Sequence, residues 1–230
     1  MIELCGLTKS YLTDNGRHYV FRDLNVQFPD NVSIGLIGRN GAGKSTLMRL
    51  LGGIDVPDRG QIRFDGSISW PVGLSGGFQP SLSAKDNVKF VCRIYGVRGA
   101  GMDRVLDYVR DFADIGRFFE QPIRTYSSGM RARVAFGLSM AFDFDYLLID
   151  EVLAVGDADF KRKCNDVFEK KRLESNLILV SHNMNDIKNY CDVVLLVDQG
   201  RVHIYEDVMA GIVAYQGRKA QQPGKNSTTQ

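Results

Sequence analysis

No stretch of this chain stays apolar for the roughly eighteen residues that a bilayer-crossing helix needs, so no segment is expected to span a membrane. The start, Met1-Ile2-Glu3-Leu4, lacks the basic region and long apolar run of a signal peptide. Cysteine is sparse: Cys5, Cys92, Cys164 and Cys191 form no C-x-x-C pair and no zinc spacing. Reduced thiols in a cytosolic compartment are the expectation. The formal net charge is only +2, with basic residues dispersed among acids, which argues against a nucleic-acid partner. Of the 3 histidines, His18 and His203 stand in no recognisable motif. No Pro- or Ser-rich linker marks a second domain, and no repeat recurs at a solenoid period. A chain of 230 residues can nevertheless bury one substantial core.

What is present starts with Gly38-Arg39-Asn40-Gly41-Ala42-Gly43-Lys44-Ser45-Thr46, a complete match to G-x-x-x-x-G-K-[ST]. The apolar run Val32-Ser33-Ile34-Gly35-Leu36-Ile37 supplies a strand before it, and Leu47, Leu50 and Leu51 supply helical spacing after it. A glycine-rich loop between strand and helix N-terminus is an anion site, because unpaired N–H groups and the positive dipole end face it. The pattern implies binding of a nucleoside triphosphate. Gly41 and Gly43 permit close backbone approach, Lys44 reaches the β- and γ-phosphates, and Ser45 ligates Mg2+. Gly38, Arg39, Asn40 and Ala42 contribute mainly backbone, while Thr46 caps or packs in the first helical turn.

Tyr146-Leu147-Leu148-Ile149-Asp150-Glu151 is an apolar run ending in two carboxylates. Such a run reads as a strand buried on both faces of a parallel sheet, whose C-terminal end opens on the ligand crevice. Asp150 is then a candidate Mg2+ ligand, and Glu151 the base for an attacking water.

Between these motifs lies Tyr126-Ser127-Ser128-Gly129-Met130-Arg131-Ala132-Arg133, followed by an apolar run. Here the chain resembles the ATP-binding subunits of ABC transporters, whose signature has the general form Leu-Ser-Gly-Gly-Gln. Tyr126 replaces the leading Leu, Ser128 the first Gly and Met130 the Gln, while Ser127 and Gly129 are kept. The resemblance implies that Ser127, Ser128 and Gly129 serve the γ-phosphate held by a second copy, in an ATP-sandwich dimer. It also implies an adenine-stacking role for Tyr11, with Tyr19 and Phe21 as alternatives. Gln79, in Gly76-Gly77-Phe78-Gln79, matches the glutamine that contacts Mg2+ and the attacking water. His182, after Leu177-Ile178-Leu179-Val180-Ser181, matches the γ-phosphate-sensing histidine, and Ala154-Val155-Gly156-Asp157 resembles the loop that crosses the dimer interface, although the usual Ser and Leu are absent.

The expected fold is α/β, a P-loop NTPase of ABC type. A mainly parallel sheet flanked by helices carries an antiparallel β-subdomain and an inserted α-helical subdomain at about residues 80–138. The early segment Ile2–Phe28 and Gln61–Trp70 reads as the antiparallel layer. Val193–Val197 and Arg201–Tyr205 read as a hairpin, followed by a helix from Asp207 to about Tyr215. Residues 1–216 are expected to form a single nucleotide-binding domain, and 217–230, almost devoid of apolar residues, a disordered tail.

The resemblance further implies a separate transmembrane permease in two copies, each with about six helices of bilayer-spanning length. This chain would sit peripherally on the cytoplasmic face of a bacterial inner membrane. Phe78, Leu82, Phe90 and Tyr95 are candidate anchors for the permease. Gly16-Arg17-His18-Tyr19-Val20-Phe21 and Ile68-Ser69-Trp70-Pro71-Val72-Gly73-Leu74, with the Gln79 and Ser127 segments, look like the ATP-binding subunits of capsular-polysaccharide exporters. Related O-antigen exporters often append a carbohydrate-binding domain, for which this chain has no room. The alternatives are an O-antigen or teichoic-acid exporter ATPase, a soluble ABC-type ATPase acting on ribosomes or DNA, and a regulatory subunit that hydrolyses little.

Overall fold

The computed structural model describes residues 1–14, 16–72, 78–150 and 158–220. The chain begins with strands β1 (Ile2–Thr13), β2 (Gly16–Phe28) and β3 (Ile34–Gly38), then helix α1 (Lys44–Leu51) and strand β4 (Arg59–Phe64). Helices α2 (Ala84–Ile94), α3 (Ala100–Ala113) and α4 (Ser128–Met140) follow, with short 3-10 turns at Gly116–Glu120 and Ile123–Thr125. Next come β5 (Tyr146–Asp150), α5 (Ala158–Lys171), β6 (Asn176–Val180) and α6 (Met184–Tyr190). The last described elements are β7 (Val193–Asp198), β8 (Arg201–Tyr205) and α7 (Val208–Ala220).

Two compact units divide the chain: Met1–Ile68 together with the chain from Asn176 onward, and Ser69–Ser175. In the first, β2-β1-β4 form an antiparallel sheet. The alternation of β1 is broken by a bulge between Leu4 and Leu7, where Gly6 donates its N–H to Asn25 Oδ1 at 2.7 Å. Across the sheet Gly60 sits at φ 79°, and a Cβ there would lie 2.3 Å from the Gly6 carbonyl oxygen. Only glycine lets β4 close on the bulge.

The same unit holds strands in the order β6-β3-β7-β8. β3 pairs in parallel with β6 and β7, and β7 turns back into antiparallel β8. The cores of β3, β6 and β7 are continuously buried, the pattern of strands covered on both faces. The Gln199-Gly200 turn has φ of 48° and 75°, matching the right-handed twist of the expected hairpin. Ile187 of α6 packs on Gly35 and Gly211 of α7 on Val194, each where a glycine leaves room.

In the second unit Gly137 of α4 lets Phe112 of α3 lie close, and around that contact Phe112 stacks on Phe136 and meets Phe160 edge-on. Trp70, Tyr95, Phe142 and Phe144 form a second aromatic cluster, with Trp70 Nε1 donating to Ser139 Oγ at 3.0 Å. Residues 69–72 run alongside β5, bonded by Val72 N–H to the Leu148 carbonyl at 2.7 Å. The stretch Gln61–Trp70 therefore divides: its start is antiparallel β4, whereas Trp70 belongs to the aromatic cluster. The C-terminal helix also outruns expectation, since α7 continues through residues 217–220. A sequence poor in apolar residues does not stop a helix already docked through Gly211 and Ile212 from extending.

Candidate functional site

The phosphate loop connects β3 to α1 as its residue types require. Gly38 faces β7 so closely that a Cβ would lie 2.4 Å from the Val197 carbonyl oxygen. Gly43 is the N-cap of α1 at φ 108°, where a Cβ would meet Val20 Cγ1 at 2.6 Å and Phe21 Cζ at 2.9 Å. Having no side chain, Gly43 does not cap the helix, and the first turn of α1 carries no acid. Its N–H groups and dipole therefore face a ligand without a competing carboxylate. Lys44, nearly buried, folds its ammonium over the loop and donates to the carbonyls of Gly38 at 2.8 Å and Arg39 at 3.0 Å. Ser45 is exposed beside it and Thr46 half-buried.

Arg39, Asn40, Gly41, Ala42, Asp198, Gln199 and Arg218 line a cavity of about 490 Å³. Arg218 of α7 closes on Asp198 at 2.6 Å, a link absent from any local motif.

His182 emerges at the same end of the sheet as the loop, beyond the C-terminal ends of parallel strands. Ile34 pairs with Ile178 and Gly35 with Leu179, and continuing that register reaches Gly38 on one strand and His182 on the other. Asp186 holds the flanking residues, accepting from Ser181 Oγ at 2.8 Å and Asn183 Nδ2 at 3.0 Å, while His182 itself is exposed.

Among the aromatic candidates, Phe21 is fully buried beneath Gly43 and offers no face to a base. Tyr19 is exposed and covered on one side by the Arg22 guanidinium at 3.8 Å. Tyr11 is half-buried, and its hydroxyl donates to Asp55 at 2.8 Å. Lys9 grips the same carboxylate at 2.7 Å with both side chains largely buried. Burial pushes the Asp55 carboxyl up, but the hydrogen bonds from Lys9, Tyr11 and the Val56 N–H outweigh it and hold it below the usual range.

In the second unit Asp150 ends β5, partly exposed after a fully buried run. Ser127 caps α4 by accepting the Met130 N–H at 3.2 Å, and Ser127 and Ser128 are exposed. Around Gly129 there is open space: a Cβ would find nothing nearer than Ser127 Oγ at 3.9 Å. Tyr126, where the signature has Leu, is buried, its hydroxyl shared between the carbonyls of Phe118 at 2.5 Å and Gln121 at 3.1 Å. Burial pushes that hydroxyl's pKa up. Gln79 is exposed but its backbone is not loose, because the side chain of buried Asn87 holds it. Glu151, Gly76, Gly77 and Ala154 to Asp157 lie outside the described residues.

Asn87, Asp186 and Asp55 were missed as supporting residues by motif reading. The signal for Asn87 was a polar residue on the inner face of an amphipathic helix; Asp186 and Asp55 carried none that a linear pattern isolates.

Residues 21–154 match the family described as ABC transporter. The polysialic acid transport ATP-binding protein KpsT of Escherichia coli is 56% identical over 216 residues, covering 94% of this chain and 98% of that protein. The capsule polysaccharide export ATP-binding protein CtrD of Neisseria meningitidis serogroup B is 44% identical over 208 residues, covering 90% and 95%. Among solved structures, the dimeric ATP-binding cassette MJ0796 in a post-hydrolysis state with ADP and Pi superposes with a TM-score of 0.70. It is 21% identical and the match covers 89% of this chain and 98% of that one.

Proposed function

The chain belongs to the ABC transporter family of ATP-binding subunits, and on that premise we propose that it powers export of capsular polysaccharide through a separate membrane-spanning permease. It hydrolyses ATP. The observation that carries the reading is the glycine-walled loop on the α1 N-terminus, with Lys44 folded across it, in a chain 56% identical to a polysialic acid transport ATP-binding protein.

In this reading the N–H groups of the loop and the Lys44 ammonium take the β- and γ-phosphates, replacing water by preorganised donors. Glu151 accepts a proton from the attacking water, and His182 and Gln79 orient that water and the γ-phosphate. Tyr11, braced by Asp55, stacks on adenine. By the family resemblance Ser45, Gln79 and Asp150 would hold Mg2+, and their hydroxyl, amide and carboxylate oxygens are the donor types that suit that ion. When bound, that ion neutralises charge on the β- and γ-oxygens.

The open space at Gly129 fits a helix N-terminus that serves the nucleotide of a second copy rather than its own. No helix among the described residues is long and apolar enough to cross a membrane. The family resemblance puts this subunit on the cytoplasmic face of the inner membrane, bound to a permease. Phe90 and Ile94, 50% and 63% exposed one helical turn apart on α2, make an apolar face for that partner, with Leu82 beside them. Tyr95, also a candidate anchor, is committed to the aromatic cluster on its other side.

Affinity purification from detergent-solubilised membranes, with identification of the co-purifying integral protein, tests the proposal. Recovery of a multi-helix permease whose deletion traps polysaccharide in the cytoplasm is expected. Recovery with ribosomes or DNA and no membrane protein would overturn transport.

A further inference from the structure

We propose that Asn87 is a positioning residue for ATP hydrolysis, acting by clamping the backbone of Gln79 to helix α2. The inference rests on the reading of Gln79 given above.

Asn87 lies on the inner face of α2 and is 1% exposed. Its Oδ1 accepts the Gln79 N–H at 2.7 Å. Its Nδ2 donates to the carbonyls of Ser83 at 2.8 Å and Gln79 at 3.2 Å, and reaches that of Leu82 at 3.4 Å. One side chain thus holds both backbone groups of Gln79. A primary amide alone among side chains of this size supplies an acceptor and two donors from one planar head. Asp would put carboxylate oxygens against three carbonyls, and Leu would leave the Gln79 and Ser83 groups without these bonds, a costly exchange in a buried place.

The clamp also fixes what Gln79 is fixed to. Asn87 sits one helical turn before Val91 and on the same helix as exposed Phe90 and Ile94. Ser83 caps that helix by accepting the Asp86 N–H at 3.0 Å. A displacement of α2 by a docked partner would therefore carry the Gln79 backbone with it rather than slide past it.

The test uses the purified full chain and compares Asn87→Ala, Asn87→Asp and Gln79→Ala with the double variant Asn87→Ala/Gln79→Ala. Asn87→Asp preserves volume and the acceptor toward Gln79 N–H, so it remains informative where the alanine chain fails to fold. A misplaced positioning group costs on the order of 10- to 100-fold. The expected result is a fall in kcat of that size for a folded Asn87 variant, with KM for ATP within about threefold, and no further fall when Asn87→Ala is added to Gln79→Ala. Wild-type kcat in folded Asn87→Asp, or losses that multiply in the double variant, would overturn the clamp. Wild-type kcat in Gln79→Ala would instead overturn the role of Gln79 itself.

Discussion

Replacing Gly129 by alanine separates what a glycine does for its own fold from what it does for a ligand. Gly129 is the second residue of α4, its φ is not positive, and an added Cβ would meet nothing within 3.9 Å. Alanine in a helix is favoured over glycine by about 0.5–1 kcal/mol. For a chain of this size each kcal/mol shifts Tm by roughly 2–4 °C, so Gly129→Ala should melt about 1–4 °C higher than wild type without nucleotide. If the same position must approach a γ-phosphate on a second copy, the methyl displaces a charge-assisted hydrogen bond worth about 1.5–3 kcal/mol. ATP turnover should then fall roughly 10- to 100-fold, and the deficit should not be rescued at higher protein concentration. Gly43→Ala is the contrast. At φ 108° and with Val20 Cγ1 2.6 Å from the new Cβ, it strains the chain itself, and should lower stability by about 1–3 kcal/mol as well as activity. Thermal melting and steady-state ATPase on the same preparations decide the matter. A destabilised Gly129→Ala would refute the open geometry at α4, and a fully active one would refute the need for close approach there.

Lys44→Ala removes the ammonium that spans Gly38 and Arg39, and ATP affinity measured by titration should fall at least about tenfold. Asp55→Asn breaks the Lys9 pair and should cost about 1–3 kcal/mol at neutral pH by urea unfolding. Because the Asp55 pKa is held below its unfolded value, that stability is present above the ordinary aspartate range and is lost as pH falls through the folded pKa. Wild type and Asp55→Asn should therefore converge in acid, and a constant gap down to low pH would contradict the assignment. Burial pushes the thiols of Cys164 and Cys191 up to about 12, so neither should react with a thiolate-selective reagent at pH 8 until the chain unfolds. Phe90→Glu with Ile94→Glu should leave the melting temperature within about 1 °C, since both side chains are exposed, while abolishing recovery with membranes.

The phosphate loop, the carboxylate-ended strand and the buried strands of the parallel sheet were legible in the sequence because each is written in consecutive residues. A loop's backbone geometry depends on which of its positions are glycine, and a strand covered on both faces must be apolar at every position. The exposed position of His182 just beyond β6 was legible for the same reason, since it follows such a strand. The tertiary structure alone decided that Phe21 is buried under Gly43, that Tyr11 is braced by Asp55 and Lys9, and that Trp70 and Tyr95 share an aromatic cluster. It also decided that Asn87 grips Gln79, that Arg218 reaches Asp198, and that α7 runs on to Ala220. These depend on residues far apart along the chain meeting in one register and one packing arrangement. No local propensity encodes such a meeting, because the free energy that selects it belongs to the folded neighbourhood rather than to any one segment.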